Sequence, residues 1–185
     1  MDISIVIVSW NVRDRLKSNL EALLKSEGDF SYEIYVVDNN SADGTEKMIR
    51  EEFVKTTPSV NSESGASLAW NVYNGVKFMA KSTNLGFARG NNEALRMCVG
   101  QARYVLLLNP DMKVYPDTLA NMIKWMDNHK EAAIAGCHLV GKDGKTVPHV
   151  RKFPTLFDQL AVILKIPHLL PFVLNGYLRK GFNYE

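Results

Sequence analysis

The sequence predicts an α/β fold: a mostly parallel sheet with helices on both faces. Two observations carry that expectation. Apolar β-branched runs alternate along the chain with segments whose apolar residues recur at helical spacing. The first run, Ile3-Ser4-Ile5-Val6-Ile7-Val8, is continuous rather than alternating, as expected of a strand covered on both faces. The resulting order, βαβαβαβαβ, closes into a parallel sheet through crossover helices.

Each element has its own reason. Leu16, Leu20, Leu23 and Leu24 place an amphipathic helix over 14–25. Glu33 to Val37 is the second strand, and Ser41 to Thr45 supplies N-cap chemistry for a helix reaching about Phe53. Val76 to Ala80 is the third strand. The turn Thr83-Asn84-Leu85-Gly86 then leads into a helix over 87–99. Tyr104 to Leu108 is the fourth strand and stops at Asn109-Pro110-Asp111. Pro116 suits the first turn of a helix with the apolar face Leu119, Met122, Ile123 and Met126. Ala132 to Val140 is the fifth strand, and Lys142-Asp143-Gly144-Lys145 predicts a hairpin turn into Thr146-Val147. Residues 55–74 are polar and read as a functional or disordered loop, or as one that contains a short extra element. The tail from Pro154 is rich in Leu, Phe, Ile and Pro and opens a further unit, so the expected division is 1–153 and 154–185.

Composition narrows the function. The chain has 185 residues, 46% hydrophobic and 23% charged, which excludes collagen-like, disordered and disulfide-scaffold classes. A net charge of +2 without a basic stripe argues against nucleic acid as a partner. Cys98 and Cys137 read as reduced core thiols of a cytosolic protein. No segment has the pattern of a signal peptide. The apolar stretch Leu160 to Leu174 is interrupted by Lys165, Pro167 and Pro171 and is too short to span a bilayer.

In parallel α/β sheets ligands bind outside the carboxyl ends of the strands, so the informative loops follow the strands. Asp38 lies too far before its helix to cap it, and it can accept hydrogen bonds from a ribose hydroxyl or a base N–H. Capping accounts for Ser41, Asp43 and Thr45. In the turn before the 87–99 helix, Gly86 permits a special backbone conformation, and Arg89 adds positive charge to a helix start that favours anions. Structural punctuation explains that turn equally well. Asp111, aided by Asn109, can hold Mg²⁺ or Mn²⁺ against a pyrophosphate; an Asx turn closing the strand is the alternative. His129, His138, His149 and His168 have no metal-site spacing, and His138 reads as a satisfied histidine in an apolar strand. Arg151-Lys152 reads as a solvated charge pair.

Taken in order, these loops resemble the family 2 glycosyltransferases. The matching pieces are Ile5-Val6-Ile7-Val8-Ser9-Trp10-Asn11, Val36-Val37-Asp38-Asn39-Asn40-Ser41-Ala42-Asp43-Gly44-Thr45, Asn84-Leu85-Gly86-Phe87-Ala88-Arg89-Gly90-Asn91-Asn92 and Leu107-Leu108-Asn109-Pro110-Asp111. The last piece is similar to the metal motif of the rhamnosyltransferase-like branch. The resemblance implies a Rossmann-like fold of the GT-A type and an inverting, metal-assisted enzyme of polysaccharide biosynthesis. Its donor would be a UDP- or dTDP-sugar and its acceptor a saccharide or lipid-linked sugar. It implies that Ser9, Asn11, Asp38, Asn84, Gly86 and Arg89 border the nucleotide, and that Asp111 and Asn109 hold Mg²⁺ or Mn²⁺. Asn109 stands where the usual motif has an aspartate, so the metal site carries less charge. No motif before Glu185 matches the family's acceptor half, so no catalytic base is assigned; the chain resembles the N-terminal donor-binding part and is either a fragment of a longer protein or a donor-binding module without its own base. The resemblance implies a cytoplasmic location; the apolar tail reads as an unfinished core helix, the preferred reading, or alternatively as a peripheral contact with the inner face of the membrane.

Three other functions share parts of this pattern. A dehydrogenase would need GxGxxG after the first strand, and a nucleotidyltransferase a glycine- and Lys/Arg-rich loop there; Ser9-Trp10-Asn11-Val12-Arg13 offers neither. A non-catalytic nucleotide-sugar-binding or interaction module stays open because no base is assigned.

Overall fold

The computed structural model describes residues 1–53, 71–73, 75–170, 172–179 and 182. The chain forms two compact units, Met1–Ala132 and Ala133–Glu185.

The first unit contains β1 (Ile3–Ser9), α1 (Arg13–Leu23), β2 (Tyr32–Asp38), α2 (Thr45–Glu52), β3 (Asn71–Tyr73), β4 (Val76–Ala80), α3 (Phe87–Cys98), β5 (Tyr104–Leu107) and α4 (Thr118–Asn128). The strands form one sheet in the order β3-β4-β2-β1-β5. β1 runs parallel to β2 and β5, and β2 parallel to β4. The short β3 is antiparallel to β4 and is the extra element allowed within 55–74; the remainder of that stretch lies outside the described residues.

Successive strand residues point to opposite faces, and both faces of the sheet are covered. Ile3, Ile5 and Ile7 of β1, with Ile34 and Val36 of β2, pack beneath Leu16, Leu20 and Leu23 of α1, Met48 and Ile49 of α2, and Leu119 and Ile123 of α4. On the other face Val6, Tyr35 and Val37 meet Ala94 and Cys98 of α3. This is why β1 reads as a continuous apolar run: neither of its faces is wet.

The second unit contains α5 (Leu156–Ile163), opened by a capping box between Thr155 and Asp158, and a 3₁₀ turn over Ile166–His168. Many of its large apolar side chains are exposed, among them Phe153, Leu156, Phe157, Ile163 and Leu169. Among the described residues no helix is long and apolar enough to cross a membrane.

The fifth strand expected over Ala132 to Val140 does not form. Among the described residues, the only ladder contact there is a single antiparallel bridge between Val140 and Thr146. Alanine and glycine are poor strand formers, and the stretch Ala132-Ala133-Ile134-Ala135-Gly136 has only one β-branched side chain, the 91% exposed Ile134. The hairpin turn itself is present. Gly141 N–H donates to the Lys145 carbonyl at 2.8 Å, and Gly144 takes a positive φ of 74°. His138 therefore sits outside any strand, with its Nε2 2.9 Å from Thr146 Oγ1.

Candidate functional site

The parallel register brings the carboxyl ends of the strands to one edge of the sheet. Ser9 pairs with Asp38, and Asp38 with Ala80. From β1 the chain winds outward through β2 to β4, then returns to β5 on the other side of β1. The strand order thus reverses at β1/β5, and a crevice opens at the carboxyl ends of such strands.

The loops after β1 and β2 are stitched together by hydrogen bonds. Asn11, at φ 52°, donates its N–H to Ser41 Oγ at 2.8 Å, and its Oδ1 accepts the Ala42 N–H at 2.8 Å. Arg13 N–H donates to Asp43 Oδ2 at 2.8 Å. An open cleft of about 440 Å³ is lined by Asn11, Val12, Arg13, Asp14, Arg15 and Asp43.

Asp38 is buried at 3% exposure. One of its oxygens accepts from Ser41 Oγ at 2.6 Å and the other from Ser41 N–H at 2.9 Å. Burial pushes its carboxyl above the usual range despite those bonds, and the charges of Asp43 and Glu46 add to the effect. Ser41 is thus turned back onto Asp38 and is not a helix cap, contrary to expectation. The N-cap of α2 is Gly44, at φ 83°, and Asp43 Oδ1 accepts from Thr45 N–H at 3.1 Å and from Thr45 Oγ1 at 2.6 Å. A serine so close to a buried carboxylate satisfies that acceptor first, because an unmet buried acceptor costs more than an uncapped helix end open to water.

Ser9 contributes its backbone: the Ser9 carbonyl accepts the Asn39 N–H at 2.8 Å. Its hydroxyl is fully buried and has no hydrogen-bond partner among the described residues. Asn39 extends the link to the third loop by donating Nδ2 to the Gly86 carbonyl at 3.2 Å. Gly86 adopts φ 77°, and its N–H is held at 2.8 Å by Asn84 Oδ1, which fixes the entry to α3. A Cβ on Gly90 would come within 2.9 Å of Val8 Cγ1 and 3.1 Å of Asn39 Nδ2, so only glycine lets α3 approach β1 this closely. Arg89 is exposed on the first turn of α3. Lys81 joins the group: its N–H donates to the Asp38 carbonyl at 2.9 Å, and its ammonium bonds Glu93 of α3 at 2.9 Å.

The turn after β5 stands apart from these loops. Asn109 and Asp111 are exposed. Arg15 of α1 lies 3.9 Å from Asp111 Oδ2. The buried Asn19 of α1 donates its Nδ2 to the carbonyls of Asn109, at 3.2 Å, and Met112, at 2.7 Å. No group of three or more His, Cys, Asp or Glu side chains suited to a metal occurs among the described residues. An accessible Asp111 carboxylate at a strand end suits a hard cation that takes its other oxygen ligands from phosphate and water.

The sequence-predicted residues Ser9, Asn11, Asp38, Asn84 and Gly86 are thus drawn into one linked set of loops, with Asp111 and Asn109 on the far side of β1. Asn19, Asn39 and Lys81 had no assigned role. Asn19 did leave a signal: an amide on a helix face otherwise made of Leu16, Leu20 and Leu23.

Comparison with known proteins follows the same lines. A family model described as Glycosyl transferase family 2 matches residues 4–182. A Bacillus subtilis (strain 168) protein described as an uncharacterized glycosyltransferase, YfnE, is 29% identical over 136 residues, 74% of this chain and 30% of its own length. Crystal structures of S. aureus TarS 1–349 superpose with TM-scores of 0.51, one in complex with UDP at 23% identity and one with UDP-GlcNAc at 24%. Each match covers 70% of this chain, and 33% and 32% of the TarS chain respectively. At that identity the likeness is one of fold, the GT-A type. The chain spans about a third of the length of these proteins.

Proposed function

The chain belongs to glycosyl transferase family 2, and from that premise we propose that it forms the donor-binding part of an enzyme that transfers a sugar from a UDP- or dTDP-sugar. The acceptor is a saccharide or lipid-linked sugar, and transfer inverts the anomeric centre. The observation that carries this reading is the placement of two carboxylates at one sheet edge. Asp38, on β2, is a buried acceptor inside a loop cluster; Asp111, after β5, is exposed. β1 separates the two strands, so β2 and β5 lie roughly two strand spacings apart, on the order of 10 Å. A nucleoside diphosphate can reach from one to the other across the crevice.

The residues have separable tasks in this reading. Asp38 accepts from the base or ribose. Ser9, Asn11, Asn84, Gly86 and Arg89 border the nucleotide, with Arg89 the cation at the start of α3. Asp111, with Asn109 beside it, would hold Mg²⁺ or Mn²⁺. When bound, that ion would supply Lewis-acid neutralisation of the diphosphate leaving group. Leu107-Leu108-Asn109-Pro110-Asp111 supports assignment to the rhamnosyltransferase-like branch and a role in polysaccharide synthesis. The exposed apolar side chains of the second unit, with Arg151, Lys152, Lys165 and Arg179 exposed among them, support peripheral contact with the inner face of the membrane.

Calorimetric titration with UDP and dTDP, with and without Mn²⁺, tests the donor site. Binding strengthened by Mn²⁺, with the gain lost in Asp111→Ala, is the expected result. A folded chain that binds neither nucleotide would sink the reading.

A further inference from the structure

Three of the four buried residues of α1 are leucines; the fourth is Asn19, 1% exposed. Its amide nitrogen donates to the carbonyls of Asn109 and Met112, the two ends of a turn that also closes on itself through Met112 N–H to the Asn109 carbonyl at 3.2 Å. Asp111 lies between the two clamped carbonyls, with its carboxylate exposed. The other half of the Asn19 amide gains nothing from this, because Oδ1 is buried with no partner among the described residues. A leucine would remove that orphaned acceptor but would leave the Asn109 and Met112 carbonyls without their amide donor. An amide therefore stands on an otherwise apolar buried face, where its donor grips the turn carrying Asp111.

We infer that Asn19 is a positioning residue. It holds the Asn109–Met112 turn so that the Asp111 carboxylate stands preorganised at the carboxyl end of β5. The inference rests on the donor-site reading, in which Asp111 faces the cation and the diphosphate. Local unfavourable packing retained beside a functional group is where stability and function pull apart. A ligand held by a loop with no support would have to be ordered at the moment of binding, and the affinity would fall by that cost. The two bonds come from a helix that is anchored in the core through Leu16, Leu20 and Leu23, so the turn inherits the rigidity of α1.

The test is Asn19→Leu in the whole chain, read by thermal unfolding and by UDP titration with and without Mn²⁺. The expected result has three parts. The unfolding midpoint stays near that of the wild type, because loss of the two bonds is set against removal of the orphaned Oδ1. UDP affinity without Mn²⁺ is unchanged. The gain in affinity that Mn²⁺ brings falls about tenfold, the loss expected from two neutral hydrogen bonds. Asn19→Ala, which demands no extra room, serves as the second variant should the leucine not be accommodated, and the same loss of the Mn²⁺ gain is expected from it. A full Mn²⁺ gain retained in both variants overturns the inference. So does a drop in midpoint accompanied by equal losses with and without Mn²⁺, since that marks a structural role alone. A wild-type chain that binds no UDP at all refutes the donor site itself, which is a different failure and is visible before any variant is made.

Discussion

At the scale of single residues, Asp38 is the most informative group. Its carboxyl is pushed up chiefly by burial, against the pull of two hydrogen bonds from Ser41. A carboxyl whose native pKa is raised stabilises the fold while protonated, and that contribution is lost as pH rises through the raised value. Asp38→Asn is therefore expected to melt higher than the wild type at pH 7. The advantage should shrink as pH falls through the raised value and vanish below the ordinary value of 3.8. Nucleotide affinity is expected to drop in the same variant, and thermal melts at several pH values with a UDP titration at pH 7 check both halves. An Asp38→Asn protein less stable than the wild type at pH 7 would contradict the argument. Asp38 stood out in the sequence because it lay too far from the next helix to cap it. The partner of Ser41 was not readable in the same way, because a hydroxyl three residues on from an aspartate can serve either the helix or the carboxylate, and only the course of the loop decides.

At the scale of elements, the strands are held by more than their ladder. On the α3 face Glu33 of β2 accepts from Ser4 Oγ of β1 at 3.0 Å, from Tyr35 Oη at 2.8 Å, and from Lys77 Nζ of β4 at 2.7 Å. Three strands are thereby joined by one side chain, with Lys77 Nζ 4.5 Å above the Tyr35 ring. Burial alone would raise the Glu33 carboxyl; the bonds from Lys77, Tyr35 and Ser4 outweigh it, and the net direction is downward. A lowered carboxylate contributes stability that is present above its ordinary value of 4.5 and lost as pH falls through its lowered native value. Glu33→Gln should therefore cost about 1–3 kcal/mol at pH 7, and the deficit should shrink as the wild type is taken down in pH below the ordinary value. Denaturant unfolding of both proteins from pH 7 to pH 3 measures this, and a deficit that does not change with pH would exclude the charged network as its source. The periodicity of α1, β1, β2 and α4 was plain in the sequence, since side-chain period is a local property. The false fifth strand shows the limit. An apolar stretch with alanines and a glycine has the hydropathy of a strand without the β-branched surface that a neighbouring strand grips.

At the scale of the whole molecule, the two units present different surfaces. The first buries its apolar residues in two cores, one on each face of the sheet. The second leaves Phe153, Leu156, Phe157, Ile163 and Leu169 exposed, with basic residues among them. Under the proposed contact with the membrane, the chain should co-sediment with anionic phospholipid vesicles, more weakly at high salt, and Phe157→Glu with Ile163→Glu should reduce the bound fraction severalfold. Equal sedimentation with neutral and anionic vesicles, or none with either, would count against that contact. Much of this protein was determined by the sequence alone: the α/β alternation, the order of the loops that follow the strands, and the candidate residues Asp38 and Asp111. These are readable because strand and helix periods, turn chemistry and motif order are written in near neighbours along the chain. Tertiary structure alone decided that the sheet runs β3-β4-β2-β1-β5, that Asn39 reaches Gly86, and that Asn19 grips a turn 90 residues away. Those partnerships depend on how helices lie across the sheet, and a buried polar group takes whichever partner that packing brings within reach.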